Sequence, residues 1–136
     1  MILVTADTSV VVPAVLGWHE QHEVAAPAVR DVDRLPSHVL AEAYSVLTRL
    51  PHGLSLTPRD ASDLLLDTFP EPPLLLEARE HCALLTTLAA AGIRGGAVYD
   101  ALVGAIAVRA SALLLTLDGR AARAYQTVGV NYRVPA

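Results

Sequence analysis

The alternation of short apolar runs with segments of helical periodicity most constrains what this chain can fold into. Residues 2–6 and 112–117 are largely apolar runs of strand length, and residues 130–134 are predicted as a final strand. A short run without polar alternation is typical of a strand buried on both faces of a parallel sheet. The sequence therefore predicts an α/β fold, with a parallel sheet of about four or five short strands and helices on both faces.

The segments between these runs carry sequence features that are typical of helices. Thr57 is a predicted N-cap ahead of Pro58 at the first helical position, and Gly92 is a predicted helix stop. Apolar residues at helical spacing and the capping signals predict helices over residues 10–16, 18–26, 39–50, 58–69, 77–91, 97–110 and 120–127. Thr8 and Ser9 offer capping hydroxyls to the first of these, and residues 74–76 are predicted as a further short strand.

Length and composition predict one folded domain over residues 1–136. The chain is 53% hydrophobic and 18% charged, which lies far from the composition of disordered chains. Its single cysteine, Cys82, cannot form a disulfide within the chain. The N-terminus lacks the basic region of a signal peptide, and the apolar stretch over residues 101–117 contains Arg109 and is too short to span a bilayer. We therefore expect a cytoplasmic protein without a membrane segment.

The charged residues exclude some functions. The chain has no lysine, so its ten basic residues are all arginine, against 14 acidic residues and a net charge of -4. Without lysine it cannot be a P-loop nucleotide binder. Its acidic balance argues against a broad basic footprint for nucleic acid. Any nucleic-acid chemistry would need local arginines together with metal ions.

Four acidic residues are candidates for a functional site. Asp7 and Asp118 follow predicted strands, and active sites of parallel α/β sheets lie at the carboxyl ends of the strands. Glu42 and Asp100 lie in predicted helices among small or apolar neighbours. A desolvated carboxylate is unfavourable without a nearby positive charge, and no lysine can supply one. A bound metal ion would resolve this.

Each acid also has a purely structural interpretation. Aspartates at strand ends often form turns or cap helices, which applies to Asp7 and Asp118. Glu42 could pair with a distant arginine, and Asp100 could favour the positive end of its helix. The functional interpretation therefore rests on the four together.

Four segments that carry these acids resemble the PIN domain family and, within it, the VapC-type toxins of bacterial toxin-antitoxin pairs. The segments are residues 4–9, 41–49, 99–105 and 115–118, which contain Asp7, Glu42, Asp100 and Asp118 in that order. Family members place an acid at each of these points, and the resemblance covers essentially the whole chain. It implies a magnesium-dependent ribonuclease that is dimeric and is silenced by a cognate antitoxin.

The chemistry of the four acids suits that activity. Mg²⁺ prefers oxygen ligands and retains several waters, so a group of carboxylates can hold one or two ions and leave room for a phosphodiester. We expect Asp7, Glu42, Asp100 and Asp118 to hold Mg²⁺, with Mn²⁺ as the alternative ion. The hypothesis is hydrolysis of RNA by water that the ion activates, with no side-chain nucleophile.

Five further residues are candidates for supporting roles. Thr8, Ser9 and Thr116 could orient ligands or waters through their hydroxyls, or they could cap a helix or turn. Arg94 and Arg120 precede and follow acid-bearing segments, where they could contact RNA phosphates or form surface ion pairs.

Other classes of protein share parts of this pattern. A receiver-like phosphoacceptor domain also places acids at strand ends, but its chemistry normally uses a lysine, which this chain lacks. A catalytically silent PIN-like interaction module remains an alternative, because a fold does not guarantee a function. An RNA-processing PIN nuclease without an antitoxin is the other alternative. A small antitoxin gene upstream would favour the toxin.

Overall fold

The computed structural model describes residues 2–136 and gives them an α/β architecture. The described strands are β1 (Leu3–Ala6), β2 (Ala112–Leu115) and β3 (Tyr132–Arg133). The described α-helices are α1 (Thr8–Val15), α2 (His22–Ala28), α3 (Ser37–Leu47), α4 (Pro58–Thr68), α5 (Ala78–Ala91), α6 (Ala97–Arg109) and α7 (Ala122–Val128). A short 3-10 helix, Gly119–Ala121, precedes α7.

The sheet is parallel and its central strand is β2. The strand order is β1-β2-β3, with Leu3 opposite Ala112 and Ala6 opposite Leu115. Leu114 and Leu115 point to opposite faces of the sheet, and both are fully buried. Both faces of β2 are therefore covered, which confirms the α/β fold with a buried parallel sheet.

The sheet described has fewer strands than the four or five predicted. Residues 74–76 do not form a strand, because Leu74 makes only an isolated parallel bridge to Pro36. Pro72 and Pro73 precede it and have no backbone N–H, so this segment lacks donors that a longer ladder would need. The strand β2 also ends two residues before the predicted Leu117.

Several helix boundaries follow from capping. Thr57 caps α4 as predicted, because its side chain accepts a hydrogen bond from the Asp60 N–H, and Gly92 ends α5 with a φ of 69°. The start of α1 differs from the prediction. Asp7 is its N-cap, and Thr8 and Ser9 are its first helical residues. Helix α2 begins at His22, four residues later than predicted.

Helices α6 and α7 approach each other closely at Gly104. A Cβ atom at this position would lie 2.7 Å from Val128 Cγ2 and 3.1 Å from the ring of Tyr125. Glycine is therefore needed for this packing, which seats the fully buried Tyr125 of α7 beside the sheet. Among residues 2–136, no helix combines the length and apolar character that crossing a bilayer needs.

Candidate active site

A cleft of about 50 Å³ lies at the carboxyl ends of β1 and β2, and all four predicted acids line it. Asp7 and Asp118 come from the segments that follow β1 and β2, Glu42 from α3 and Asp100 from the first turn of α6. The structure thus brings together four carboxylates that are far apart in sequence. We call this cleft, lined by Asp7, Glu42, Asp100 and Asp118, the acid cleft. The rest of its lining is Thr8, Ser9, His38, Tyr99, Val103 and Tyr125.

Asp7 is the most buried of the four acids, with 6% of its surface exposed. Its Oδ1 accepts hydrogen bonds from the backbone N–H and the hydroxyl of Ser9, and the Tyr125 hydroxyl donates to its Oδ2 over 2.6 Å. Burial raises the pKa of the Asp7 carboxyl, and these hydrogen bonds oppose that rise. Asp7 is therefore both the structural cap of α1 and a member of the acid cleft.

The pKa of Asp100 reflects its burial and the negative charge of the cleft. Its pKa is raised to about 6, first by burial and then by the negative charges of Asp118, Asp7 and Glu42. The Arg120 guanidinium partly offsets this rise in the pKa. Asp100 therefore lies in a space that its three acidic neighbours already make negative.

Glu42 and Asp118 have weaker partners. Glu42 Oε2 lies 3.5 Å from His38 Nε2, one helical turn away on α3. Glu42 therefore pairs with a nearby histidine and not with a distant arginine. Asp118 Oδ1 accepts hydrogen bonds from the backbone N–H and Nε of Arg120. The Arg120 side chain is 94% exposed, so water screens much of its charge.

The composition of the cleft fits a hydrated divalent cation. Four carboxylates supply hard oxygen ligands, and the Thr8 Oγ1 beside them is buried without a hydrogen-bond partner among the described residues. Within residues 2–136, however, no three His, Cys, Asp or Glu side chains form a group that could hold a metal ion as they are placed. Both Asp7 oxygens are held by Ser9 and Tyr125, so an ion would use their remaining lone pairs and keep several of its own waters.

Two of the three predicted supporting hydroxyls, those of Ser9 and Thr116, form hydrogen bonds within the protein. The Ser9 hydroxyl donates to Asp7 and accepts a hydrogen bond of 2.7 Å from the Leu117 N–H, which ties α1 to the end of β2. Thr116 Oγ1 accepts from the Asp118 N–H. Ser9 and Thr116 thus orient the acid-bearing segments.

The two candidate arginines occupy different surroundings. Arg120 pairs with Asp118 at the edge of the cleft. Arg94 is exposed in the turn before α6 and does not belong to the cleft lining. A role in binding phosphate stays a prediction for both.

Sequence reasoning missed three aromatic side chains of the cleft, namely His38, Tyr99 and Tyr125. The spacing of His38 four residues before Glu42 and the position of Tyr99 beside Asp100 were visible signals. Tyr125 carried no such signal, because it lies 118 positions from the Asp7 carboxylate that it contacts.

The comparisons with known proteins agree with this fold. The PIN domain model matches residues 4–126, and the chain belongs to the PIN domain family. Within that family it groups with the VapC ribonucleases. It is 47% identical over 132 residues to Ribonuclease VapC27 of Mycobacterium tuberculosis, which covers 96% of this chain and 95% of that protein.

A second relative and a solved structure extend the agreement. The chain is 41% identical over 128 residues to Ribonuclease VapC40 of Mycobacterium tuberculosis, across 94% of this chain and 96% of that protein. A chain in the structure of FitAB bound to an IR36 DNA fragment superposes with a TM-score of 0.70. That match covers 97% of this chain and 94% of the other at 15% identity, so it supports the fold alone. The resemblance inferred from the four acid-bearing segments is confirmed.

Proposed function

We propose that this chain is a metal-dependent endoribonuclease that hydrolyses RNA phosphodiester bonds and acts as the toxin of a VapBC-type toxin-antitoxin system. The observation that carries the proposal is the gathering of four carboxylates around one cleft, where burial and then the charges of the other three acids raise the pKa of Asp100 to about 6. Positive charge that enters such a site relieves the repulsion among its carboxylates. Similarity to two VapC ribonucleases along almost the whole chain supports the choice of RNA as the substrate.

Asp7, Glu42, Asp100 and Asp118 would hold Mg²⁺ or Mn²⁺. When bound, the ion supplies positive charge that polarises a phosphodiester and stabilises the charge that develops during its hydrolysis. Ser9 and Tyr125 fix the orientation of Asp7 through their hydrogen bonds to its two oxygens. Outside the cleft, the exposed guanidinium of Arg120 is available to an RNA phosphate.

The proposed partners are RNA, a cognate antitoxin protein and a second copy of this chain, with residues 1–136 acting as one ribonuclease domain in the cytoplasm. Leu75 and Leu85 are more than half exposed, which supports the burial of apolar surface against another polypeptide. Light scattering at micromolar concentrations should therefore give twice the mass of 14.4 kDa. A strictly monomeric mass would contradict the homodimer.

Cleavage assays with purified protein test the proposed activity. RNA should be cut in Mg²⁺ or Mn²⁺, and an excess of EDTA should stop cleavage because the carboxylates provide no nucleophile themselves. Undiminished cleavage in EDTA would overturn the metal dependence. Mapping the 5′ ends of total cellular RNA after brief induction of the wild type, beside Asp7→Ala as the control, should show new ends for the wild type alone.

A further inference from the structure

Two aromatic side chains stack at the acid cleft. The ring of His38, in the first turn of α3, lies parallel to the ring of Tyr99, in the first turn of α6. Their centroids are 5.1 Å apart and the angle between their planes is 4°. Both residues line the acid cleft, and each is close in sequence to one of its acids.

The exposure of Tyr99 is not explained by packing. His38 covers one face of the Tyr99 ring, yet 54% of Tyr99 remains exposed. More than half of Tyr99 is therefore open to solvent beside the four carboxylates. The Tyr99 hydroxyl has no hydrogen-bond partner among the described residues, so it does not join the network that orients Asp7. A side chain that serves only the core would be buried more fully.

His38 is also incompletely satisfied by the protein. Its Nε2 is buried and forms no hydrogen bond with any described residue, although it lies 3.5 Å from the Glu42 carboxylate. The imidazole therefore has two contacts at the cleft, its stack with Tyr99 and its 3.5 Å approach to Glu42. This geometry keeps the Tyr99 ring at a fixed position beside the carboxylates.

The charge of the chain favours an uncharged contribution to RNA binding, such as that of an aromatic ring. A ribonuclease with no lysine, ten arginines and a net charge of -4 has few cations with which to hold an RNA backbone. Stacking of a base on an aromatic ring adds affinity without adding charge, and proteins use Tyr and His in this way to hold unstacked RNA bases.

We propose that Tyr99, supported by His38, is a nucleobase subsite on which a base next to the cleaved phosphate stacks. This inference rests on the proposed ribonuclease function and assigns to the same site a way of holding its substrate. It makes Tyr99 a residue that determines affinity and base preference, because stacking strength differs among the bases.

The test uses the full chain with a labelled pool of single-stranded RNA dodecamers of randomised sequence. Cleavage in Mg²⁺ is followed by sequencing of the cut ends, and KM and kcat are then measured on one well-cleaved member. The variants are Tyr99→Leu, which removes the aromatic ring, and Tyr99→Phe, which keeps it. Tyr44→Leu is the matched control, because Tyr44 is an exposed tyrosine of α3 outside the acid cleft.

Tyr99→Leu should raise KM by about fivefold to about a hundredfold while kcat changes little, and should erase a base preference beside the cut. Tyr99→Phe should restore both, and Tyr44→Leu should behave as the wild type. Binding of Mn²⁺ to Tyr99→Leu should match the wild type, which separates loss of the subsite from damage to the acid cleft. A wild-type KM and cutting pattern for Tyr99→Leu would overturn the subsite.

A failure of the proposed function can be told apart from a failure of the subsite. If the wild type does not cut the pool, the ribonuclease proposal fails. Fluorescence anisotropy of the same labelled RNA in Ca²⁺ then decides the subsite by itself. Weaker binding by Tyr99→Leu than by the wild type and Tyr99→Phe supports it, and equal binding by all three overturns it.

Discussion

Asp7 combines two roles that sequence reasoning treats as alternatives. It caps α1, and it is also the buried acid of the cleft, with each of its oxygens held by a hydroxyl. A short polar side chain at the end of β1 can do both because the helix start and the sheet edge meet there. The structural interpretation of such an aspartate therefore does not argue against a functional one.

Asp100→Asn should abolish RNA cleavage without lowering the stability of the metal-free protein. Asparagine keeps the shape of the side chain but removes one of four crowded negative charges, so repulsion by Asp118, Asp7 and Glu42 is relieved. The measurements are cleavage in Mg²⁺ and thermal melting in EDTA at neutral pH. A variant that melts several degrees lower and still cleaves RNA would show that Asp100 is a structural acid.

Tyr125→Phe should weaken both the fold and the binding of a cation. Loss of the hydroxyl leaves the buried Asp7 Oδ2 without its donor, which costs about 1–3 kcal/mol. Because the hydroxyl orients Asp7, affinity for Mn²⁺ should fall by about tenfold or more. Urea denaturation and calorimetric titration with Mn²⁺ measure the two effects.

Tyr132→Phe is the control for Tyr125→Phe. The ring of Tyr132 lies 5.6 Å from that of Tyr125, but its hydroxyl accepts a hydrogen bond from the exposed Gln126 Nε2 and not from any group of the acid cleft. Its loss should change stability by less than about 0.5 kcal/mol. Equal effects of the two substitutions would show that the Asp7 contact has no special importance.

The acids of the cleft could be predicted from the sequence, whereas the contact of Tyr125 with Asp7 could not. Asp7 and Asp118 follow apolar runs, and Asp100 lies among small residues, so local sequence was enough to single them out. The hydrogen bond from Tyr125 to Asp7 depends on how α7 packs against α6. Helical periodicity places Tyr125 on an apolar face but does not say which polar group its hydroxyl reaches.

Helix α6 connects core packing with the site. Its buried face carries small residues, including Ala101, Gly104 and Ala107, which allow α7 to approach closely. The same helix holds Tyr99 and Asp100 in its first turn. A change in how α6 meets α7 should therefore move Tyr125 relative to the acid cleft.

Gly104→Ala should destabilise the protein and reduce cleavage. The added methyl would lie 2.7 Å from Val128 Cγ2, and overpacking of this kind costs about 1–3 kcal/mol. The higher helix propensity of alanine offsets about 1 kcal/mol of that cost. Urea denaturation and cleavage assays check the result.

Val128→Ala supplies the test of that mechanism. It removes the methyl group that a Cβ at position 104 would meet, so the double variant should be more stable than the sum of the two single effects predicts. Strict additivity would place the cause of the Gly104→Ala effect elsewhere in α6.

The number of strands could not be predicted from the composition of single segments. Residues 74–76 have strand-like composition, but pairing requires a neighbour with free donors and acceptors in register. Leu74 finds such a neighbour only over the Leu35 to Ser37 segment, where it donates to the Leu35 carbonyl and accepts from the Ser37 N–H. The missing ladder is a consequence of tertiary contacts.

Across the whole molecule, the parallel fold gathers acids from distant segments at one edge of the sheet, and the lack of lysine leaves their charge poorly compensated. The four clustered acids thus impose a pH dependence on the stability of the metal-free protein. Because the pKa of Asp100 is about 6 in the folded protein against 3.8 ordinarily, the folded state holds a proton that the unfolded state has released between these values. Stability from this group therefore falls as pH rises through that window.

Thermal melting of the wild type and Asp100→Asn in EDTA, from pH 4.5 to 7.5, should reveal this dependence. The variant lacks the titrating group, so its melting temperature should exceed that of the wild type by an amount that grows up to about pH 6 to 7 and is then constant. Adding Mg²⁺ at pH 7.5 should reverse the order, because an ion that binds only the folded wild type stabilises it in proportion to the logarithm of its concentration. A difference that does not change with pH, or an equal response of both proteins to Mg²⁺, would mean that the acid cleft is not the source of the effect.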